Sequence, residues 1–251
     1  MSSSSSTAPA GLGGVFPVAR SFLDARPVEP VVLPYGGALP ALPTSVRADL
    51  RATANVDVVH DPAAPDPLAW RAFGILYAQV RAEQVVLALS ARTNLTLAGS
   101  TVRIVGDGPL AATLTTVLRR LGAAVVRATD DPVERLAARL DGVRVEAVVA
   151  ASAAPLTILT GTGHDGILPT DAPGLVADAA PRPVDATALP SPRPHVRATA
   201  NGSLVEMPSP LPVDGERPTA AQLHLADALT AALLARTRVD GDDAFATAVT
   251  P

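Results

Sequence analysis

A chain of 251 residues with 48% hydrophobic side chains can bury the core of one large or two small domains. Its net charge of -4, with only 18% charged residues, offers no cationic footprint for nucleic acid. It contains neither cysteine nor lysine, which excludes thiol and Schiff-base chemistry, disulfides and thiolate metal sites.

Residues 1–14 read as a Ser/Gly/Ala tail without fixed structure. They lack the basic segment and apolar stretch of a secretory signal, and the chain holds no run of 18 apolar residues, so the expected compartment is the cytoplasm, with no membrane partner. Val15 to Ala25 predicts a short helix with Phe16, Val18, Phe22 and Leu23 as its apolar positions. Prolines break the chain from Arg26 to Pro43, leaving Val31 to Leu33 as a strand and Tyr35 to Gly37 as a turn. A further strand, Val56 to Val59, ends at His60 and Asp61, and a proline-rich loop follows. Leu68 to Arg92 predicts a long helix. Trp70, Phe73, Tyr77 and Val80 line one face as core, with Arg71, Arg81 and Glu83 elsewhere around it.

The stretch from Leu97 to Val149 reads strand, glycine turn, helix, strand, helix, strand. Thr101 to Val105 is the first strand, and Leu110, Leu114, Val117, Leu118 and Leu121 then recur at helical spacing. Ala124 to Ala128 is the second strand. Asp131, Pro132 and Glu134 open the next helix with an acidic cap, a proline and a first-turn glutamate. Val133, Leu136, Ala137 and Leu140 supply its apolar stripe, and Val143 to Val149 forms the third strand. The turn Gly106-Asp107-Gly108-Pro109-Leu110-Ala111 has the form G-x-G-x-x-A between a strand and a helix, the setting in which the motif cradles a pyrophosphate. The amides that open the helix face such an anion.

Leu156 to Leu159 and Gly174 to Ala177 predict a fourth and fifth strand of the same sheet. Each releases a loop at its carboxyl end, the edge where ligands bind open α/β sheets. Those loops carry Thr160, Gly161, Thr162, Gly163, His164 and Asp165 after one strand and Asp178 after the other. Pro181 to Pro194 reads as loop, Leu204-Val205 as a short strand, Pro218 to Arg236 as a helix, and Thr237 to Pro251 as a tail. The fold class expected is α/β: a Rossmann-like, doubly wound, mostly parallel sheet over 93–204, with a reduced helical region from 15–92 and 205–236.

The run from Leu97 to Gly108, continued through Gly122-Ala123 and Asp131-Pro132 to Asp141-Gly142, resembles the cofactor domain of S-adenosylhomocysteine hydrolases. Arg92 to Asn94, Leu159 to Gly163, Gly202 to Val205, Gly215 to Pro218 and Leu223 to Leu234 are similar to further family segments, so the likeness spans about Leu68 to Arg236. The resemblance implies a tightly held NAD that oxidises a nucleoside 3′-hydroxyl and is then reduced back, and a homodimer. The catalytic set that it also implies is missing: no lysine stands in Pro62 to Trp70, Pro181 replaces one histidine and Arg217 another, and Thr237 to Pro251 lacks the Lys/Tyr arm. The acid that grips the adenosine ribose maps to Thr129, with Asp130 beside it. A threonine there removes the charge that repels a 2′-phosphate, but no arginine follows closely, so NAD is expected over NADP.

Candidate acid/base residues are His60 with Asp61 and His164 with Asp165; His195 and His224 read as loop and helix residues, and no spacing suggests a metal. Three functions remain open. They are a pseudoenzyme that binds NAD or an adenine nucleoside, an NAD(P)-dependent oxidoreductase using His60, His164 or Asp178 as proton carrier, and a structural protein with a vestigial crevice.

Overall fold

The structure is a computed structural model that describes residues 16–23, 27–150, 152, 154–161, 167–238 and 240–250. Its elements begin with α1 (Pro17–Ser21), β1 (Val31–Tyr35), α2 (Thr44–Ala54), β2 (Val56–His60) and a single 3-10 turn at Pro67–Ala69. The central run is α3 (Arg71–Arg92), β3 (Thr101–Val105), α4 (Gly108–Arg120), β4 (Ala124–Ala128), α5 (Pro132–Leu140) and β5 (Arg144–Glu146). It continues with β6 (Leu156–Leu159), β7 (Gly174–Asp178), β8 (Val196–Ala198), β9 (Gly202–Val205), α6 (Ala220–Ala235) and α7 (Gly241–Val249). Two units result: one from Met1–Gly37, Ala41–Phe73 and Leu211–Pro251, the other from Ala38–Pro40 and Gly74–Pro210.

In the first unit β1 and β2 pair in parallel, from Val31 opposite Val56 to Tyr35 opposite His60. The crossover between them is α2, a helix not anticipated from the sequence, whose few apolar residues Val46, Leu50 and Ala54 recur every four positions and are buried. Arg47 and Arg51, one turn apart on α2, hold the carboxylate of Asp57 on β2, with Arg47 Nε 3.0 Å from Oδ1. Burial alone pushes Asp57 up, but the hydrogen bonds from Arg51 and Arg47 outweigh it and hold the carboxyl below its ordinary range. Helix α6 is apolar all round and buried, opened by a reciprocal cap between Thr219 and Gln222. Asp227 on α6 accepts the amides of Val18 and Ala19 at 3.0 and 2.8 Å, capping α1 from a remote position. Desolvation raises its carboxyl above the ordinary value. Residues read as an acidic tail form α7, because Phe245 is buried there against Phe73, ring centres 6.3 Å apart.

The long helix expected from Leu68 starts only at Arg71. Trp70 therefore precedes it, and the guanidinium carbon of Arg236 stands 4.2 Å over its ring. Among the described residues α3 is the one helix long and apolar enough to cross a membrane, but 61% of its most apolar window is buried within the protein, as in a core helix.

The second unit is built on a 7-stranded sheet in the order β5-β4-β3-β6-β7-β9-β8, parallel except for β8, a strand absent from the sequence reading. Side chains alternate between its faces. Val102, Ile104, Val125, Leu156 and Ile158 point to one face, where α3, α4 and α5 cover them. Val105, Ala128, Leu159 and Val176 point to the other, covered by irregular chain through Val148, Ala172 and Ala186. No helix lies between β5 and β9 among the described residues. The third strand stops at Glu146 rather than Val149, since the Ala150 amide turns back onto the Ala147 carbonyl.

The expected apolar stripe of α5 faces the wrong way. Val133, Leu136 and Leu140 are 71%, 59% and 79% exposed, while Ala138 meets the sheet. Arg127, buried on β4, explains this rotation. Its guanidinium takes Glu134 Oε2 at 3.1 Å, and holding Glu134 and Ala138 inward turns the leucines outward.

Candidate functional site

The carboxyl ends of β3, β4, β6 and β7 form one edge, and the ladder runs a step beyond each strand. Gly106 donates to Ala128, Thr160 to Val105, Ala179 to Leu159 and Thr129 to Glu146. At the centre of that edge the chain leaves β3 through Gly106 and Gly108, with φ of 120° and 79°, values that only glycine adopts without strain. A Cβ built on Gly108 would meet nothing within 4 Å, so the turn opens onto free space. Helix α4 begins there without a capping side chain, and Pro109 in its first turn has no amide proton to leave unsatisfied. The amides of Gly108 and Leu110, which have no acceptor within the helix, can serve an anion, with the positive end of the helix dipole behind them.

The structure brings Gly106, Asp107, Gly108, Pro109, Leu110, Thr129, Asp130, Thr160, Gly161 and Asp178 to this edge, at the ends of adjacent strands. It gives several of them backbone duties. Thr129 is fully buried, and its hydroxyl accepts the Asp131 amide at 3.1 Å instead of facing outward. Asp130 is exposed, with Oδ1 on the Val148 amide at 3.2 Å and Oδ2 uncommitted among the described residues. Asp131 caps α5 through the amides of Val133 and Glu134, as its sequence context predicts. Thr160 donates its hydroxyl to the Val105 carbonyl. Asp178 uses both oxygens on its own loop, accepting Ala180 at 3.1 Å and Val184 at 2.7 Å. Those bonds make Asp178 an anchor of the loop. At Gly161, also at positive φ, a Cβ would lie 2.7 Å from that of Ala180, so the loops after β6 and β7 approach as closely as a glycine permits. Thr162, Gly163, His164 and Asp165 lie outside the described residues.

His60 and Asp61 belong to the other unit. The His60 imidazole stands edge-on to Tyr35 at 5.3 Å, and its buried Nε2 has no hydrogen-bond partner among the described residues. Asp61 accepts the Ala63 amide across a turn. No cluster of metal-ligating side chains exists among the described residues.

Two arginines that the sequence reading did not assign shape this edge. Besides Glu134, Arg127 donates to the Gly106 carbonyl at 3.1 Å, which fixes the plane of the first peptide in the glycine turn. Arg81, read as lying away from the aromatic face of α3, is completely buried. It donates to the carbonyls of Ala179, Ala180 and Pro208 and to Gln84, holding the loop after β7 from behind. Burial lowers its pKa from the ordinary arginine value, against the smaller opposing pull of Tyr77 and Asp178. An arginine one residue before the end of an otherwise apolar strand was the available signal for Arg127.

A mostly parallel sheet with its crossover order reversing between β3 and β6, and a glycine turn at that point, defines a Rossmann-like α/β protein. No family model matches the chain, and no curated protein matches it. Among solved structures the chain is similar to a dipicolinate synthase from Bacillus halodurans, at 18% identity and a TM-score of 0.43, over 81% of this chain and 66% of that one. The dipicolinate synthase from Bacillus subtilis gives 16% identity and a TM-score of 0.43, over 82% and 66% of the respective chains. A transhydrogenase from Sinorhizobium meliloti gives 14% identity and a TM-score of 0.49, over 89% and 77%. The chain thus spans just under two thirds of the two dipicolinate synthase chains.

Proposed function

We propose that the sheet unit binds an adenine dinucleotide or nucleoside, with NAD the favoured ligand, and that it does so without hydrolysing S-adenosylhomocysteine. The observation that carries this reading is the Gly106–Ala111 turn: two glycines at positive φ, open space over Gly108, and uncapped helix amides at the centre of the sheet edge. Asp130, exposed beside the buried Thr129, is the carboxylate placed to accept ribose hydroxyls, and its charge disfavours a 2′-phosphate. The missing lysine and histidines argue against hydrolase chemistry.

Calorimetric titration of the full chain with NAD, NADP and adenosine tests the reading. NAD should bind more tightly than NADP, and G108V should abolish binding while the circular dichroism spectrum persists. Failure of all three ligands to bind the unaltered protein overturns the reading and leaves a structural protein with a vestigial crevice.

An NAD(P)-dependent oxidoreductase is the second reading. The glycine turn supports it as well, because a dinucleotide held there supplies the hydride acceptor. Reduced nicotinamide accumulating from NAD with an alcohol panel, and lost in G108V, would support it.

A further inference from the structure

We propose that the face of the large sheet covered by irregular chain holds a second ligand site, built for a small uncharged molecule that carries a carboxamide. A cavity of about 380 Å³ lies on that face, within the size range of small-molecule pockets. Val148, Ile167, Leu168 and Ala172 wall it, and Arg103 and Thr157 line it as neighbours in register on β3 and β6. Val105 and Leu159 follow two residues later on the same face and are fully buried, so the cavity lies apart from the glycine turn. Pro173, which immediately precedes β7, places it toward the amino ends of the strands.

Two buried polar side chains remain uncommitted there. Arg103 is 6% exposed; its Nε holds Glu146, and its Nη2 donates to the carbonyls of Ala147, Val148 and Ala150. Its Nη1 meets no acceptor among the described residues and is not sealed away, unlike Nε of Arg127, so its two protons are open to the cavity. The Thr157 hydroxyl, on a residue 5% exposed, is in the same position. Water can meet such donors, but the aliphatic walls favour an occupant with an apolar body as well. Charge narrows the class further. Glu146 already balances Arg103, and the exposed Asp171 adds a second carboxylate to the lining. Another anion would be repelled, whereas a neutral carbonyl oxygen accepts from Nη1 and from the Thr157 hydroxyl. The N–H groups of a carboxamide then have Asp171 as an acceptor.

Benzamide, benzoate and toluene share one ring and differ in the group they offer to Arg103, so together they test the site. In amide-resolved NMR of the full chain, benzamide should shift Val148, Thr157 and Ala172 and leave Gly108 and Leu110 in place. Benzoate and toluene should bind about tenfold more weakly. R103K keeps a charge beside Glu146 but removes Nη1, and should weaken benzamide about tenfold. T157V, nearly the same shape, should weaken it about threefold. D171N should tighten benzoate more than benzamide. Saturating NAD should leave benzamide bound, so this site and the dinucleotide site can fail independently. No shift up to the solubility limit of benzamide, shifts centred on Gly108, displacement by NAD, or benzoate binding as tightly as benzamide overturns the proposal. If R103K fails to fold, T157V decides the matter, and an unchanged affinity for benzamide overturns it as well.

Discussion

On one face of the large sheet, Val102, Ile104, Val125, Leu156 and Ile158 lie under three helices; on the other, Arg103 and Asp178 share the surface with Val105, Leu159 and Val176 under irregular chain. A helix satisfies its own backbone, so the layer beneath it can be wholly aliphatic. Irregular chain brings unpaired carbonyls and amides, and the sheet must answer them. Arg103 reaches from β3 to the carbonyls of Ala147, Val148 and Ala150 while paired with Glu146. Asp178 answers with an acceptor, taking two loop amides. Arg103 and Asp178 thus answer loop groups on the second face, while Arg127, level with Ile104 on the helical face, is buried by bonding Glu134 of α5 and the Gly106 carbonyl.

The contrast can be broken most forcefully at Arg103. R103L strands Glu146 and three carbonyls, and should cost about 3–5 kcal/mol in urea unfolding; a loss of surface-substitution size would show that the irregular cover does not depend on it. On the helical face L114A, at a fully buried site, should cost about 2–5 kcal/mol through the cavity alone. D178A should cost about 1–3 kcal/mol and speed hydrogen exchange at Ala180 and Val184, with exchange beneath α4 unchanged.

The parallel pair of the first unit sharpens the comparison, because its carboxylate is held by guanidinium groups that are partly in water, Arg47 at 32% and Arg51 at 56% side-chain exposure. Solvent screening limits D57N to about 1 kcal/mol. Asp57 has a lowered pKa when folded, so its contribution is present above the ordinary carboxylate range and fades as pH falls through the folded value. The gap between wild type and D57N should therefore close on acidification. Smallest of all, L87S on the exposed side of α3 should stay within about 0.5 kcal/mol.

The path from β3 to α5 was legible because its signals are local: β-branched runs, a glycine turn, and Asp131-Pro132 as a cap. Helix α2 was not, since three aliphatic positions among arginines and alanines give a faint pattern until β1 and β2 bury them. Helix α7 rests on one phenylalanine and its contact with Phe73. At the site, the glycines were readable from their spacing, whereas the bonds that Thr129 and Asp178 make to loop amides depend on how the loops fold.

The sequence by itself determined the order of strands and helices in the central unit and the position of the glycine turn, because backbone conformational preference and capping act within a few residues. Tertiary structure alone decided which side of α5 faces water, which face of the sheet lacks helices among the described residues, and how deeply Arg81, Arg103 and Arg127 are buried. A buried guanidinium is stable only where acceptors from distant segments converge, and no local pattern encodes that convergence.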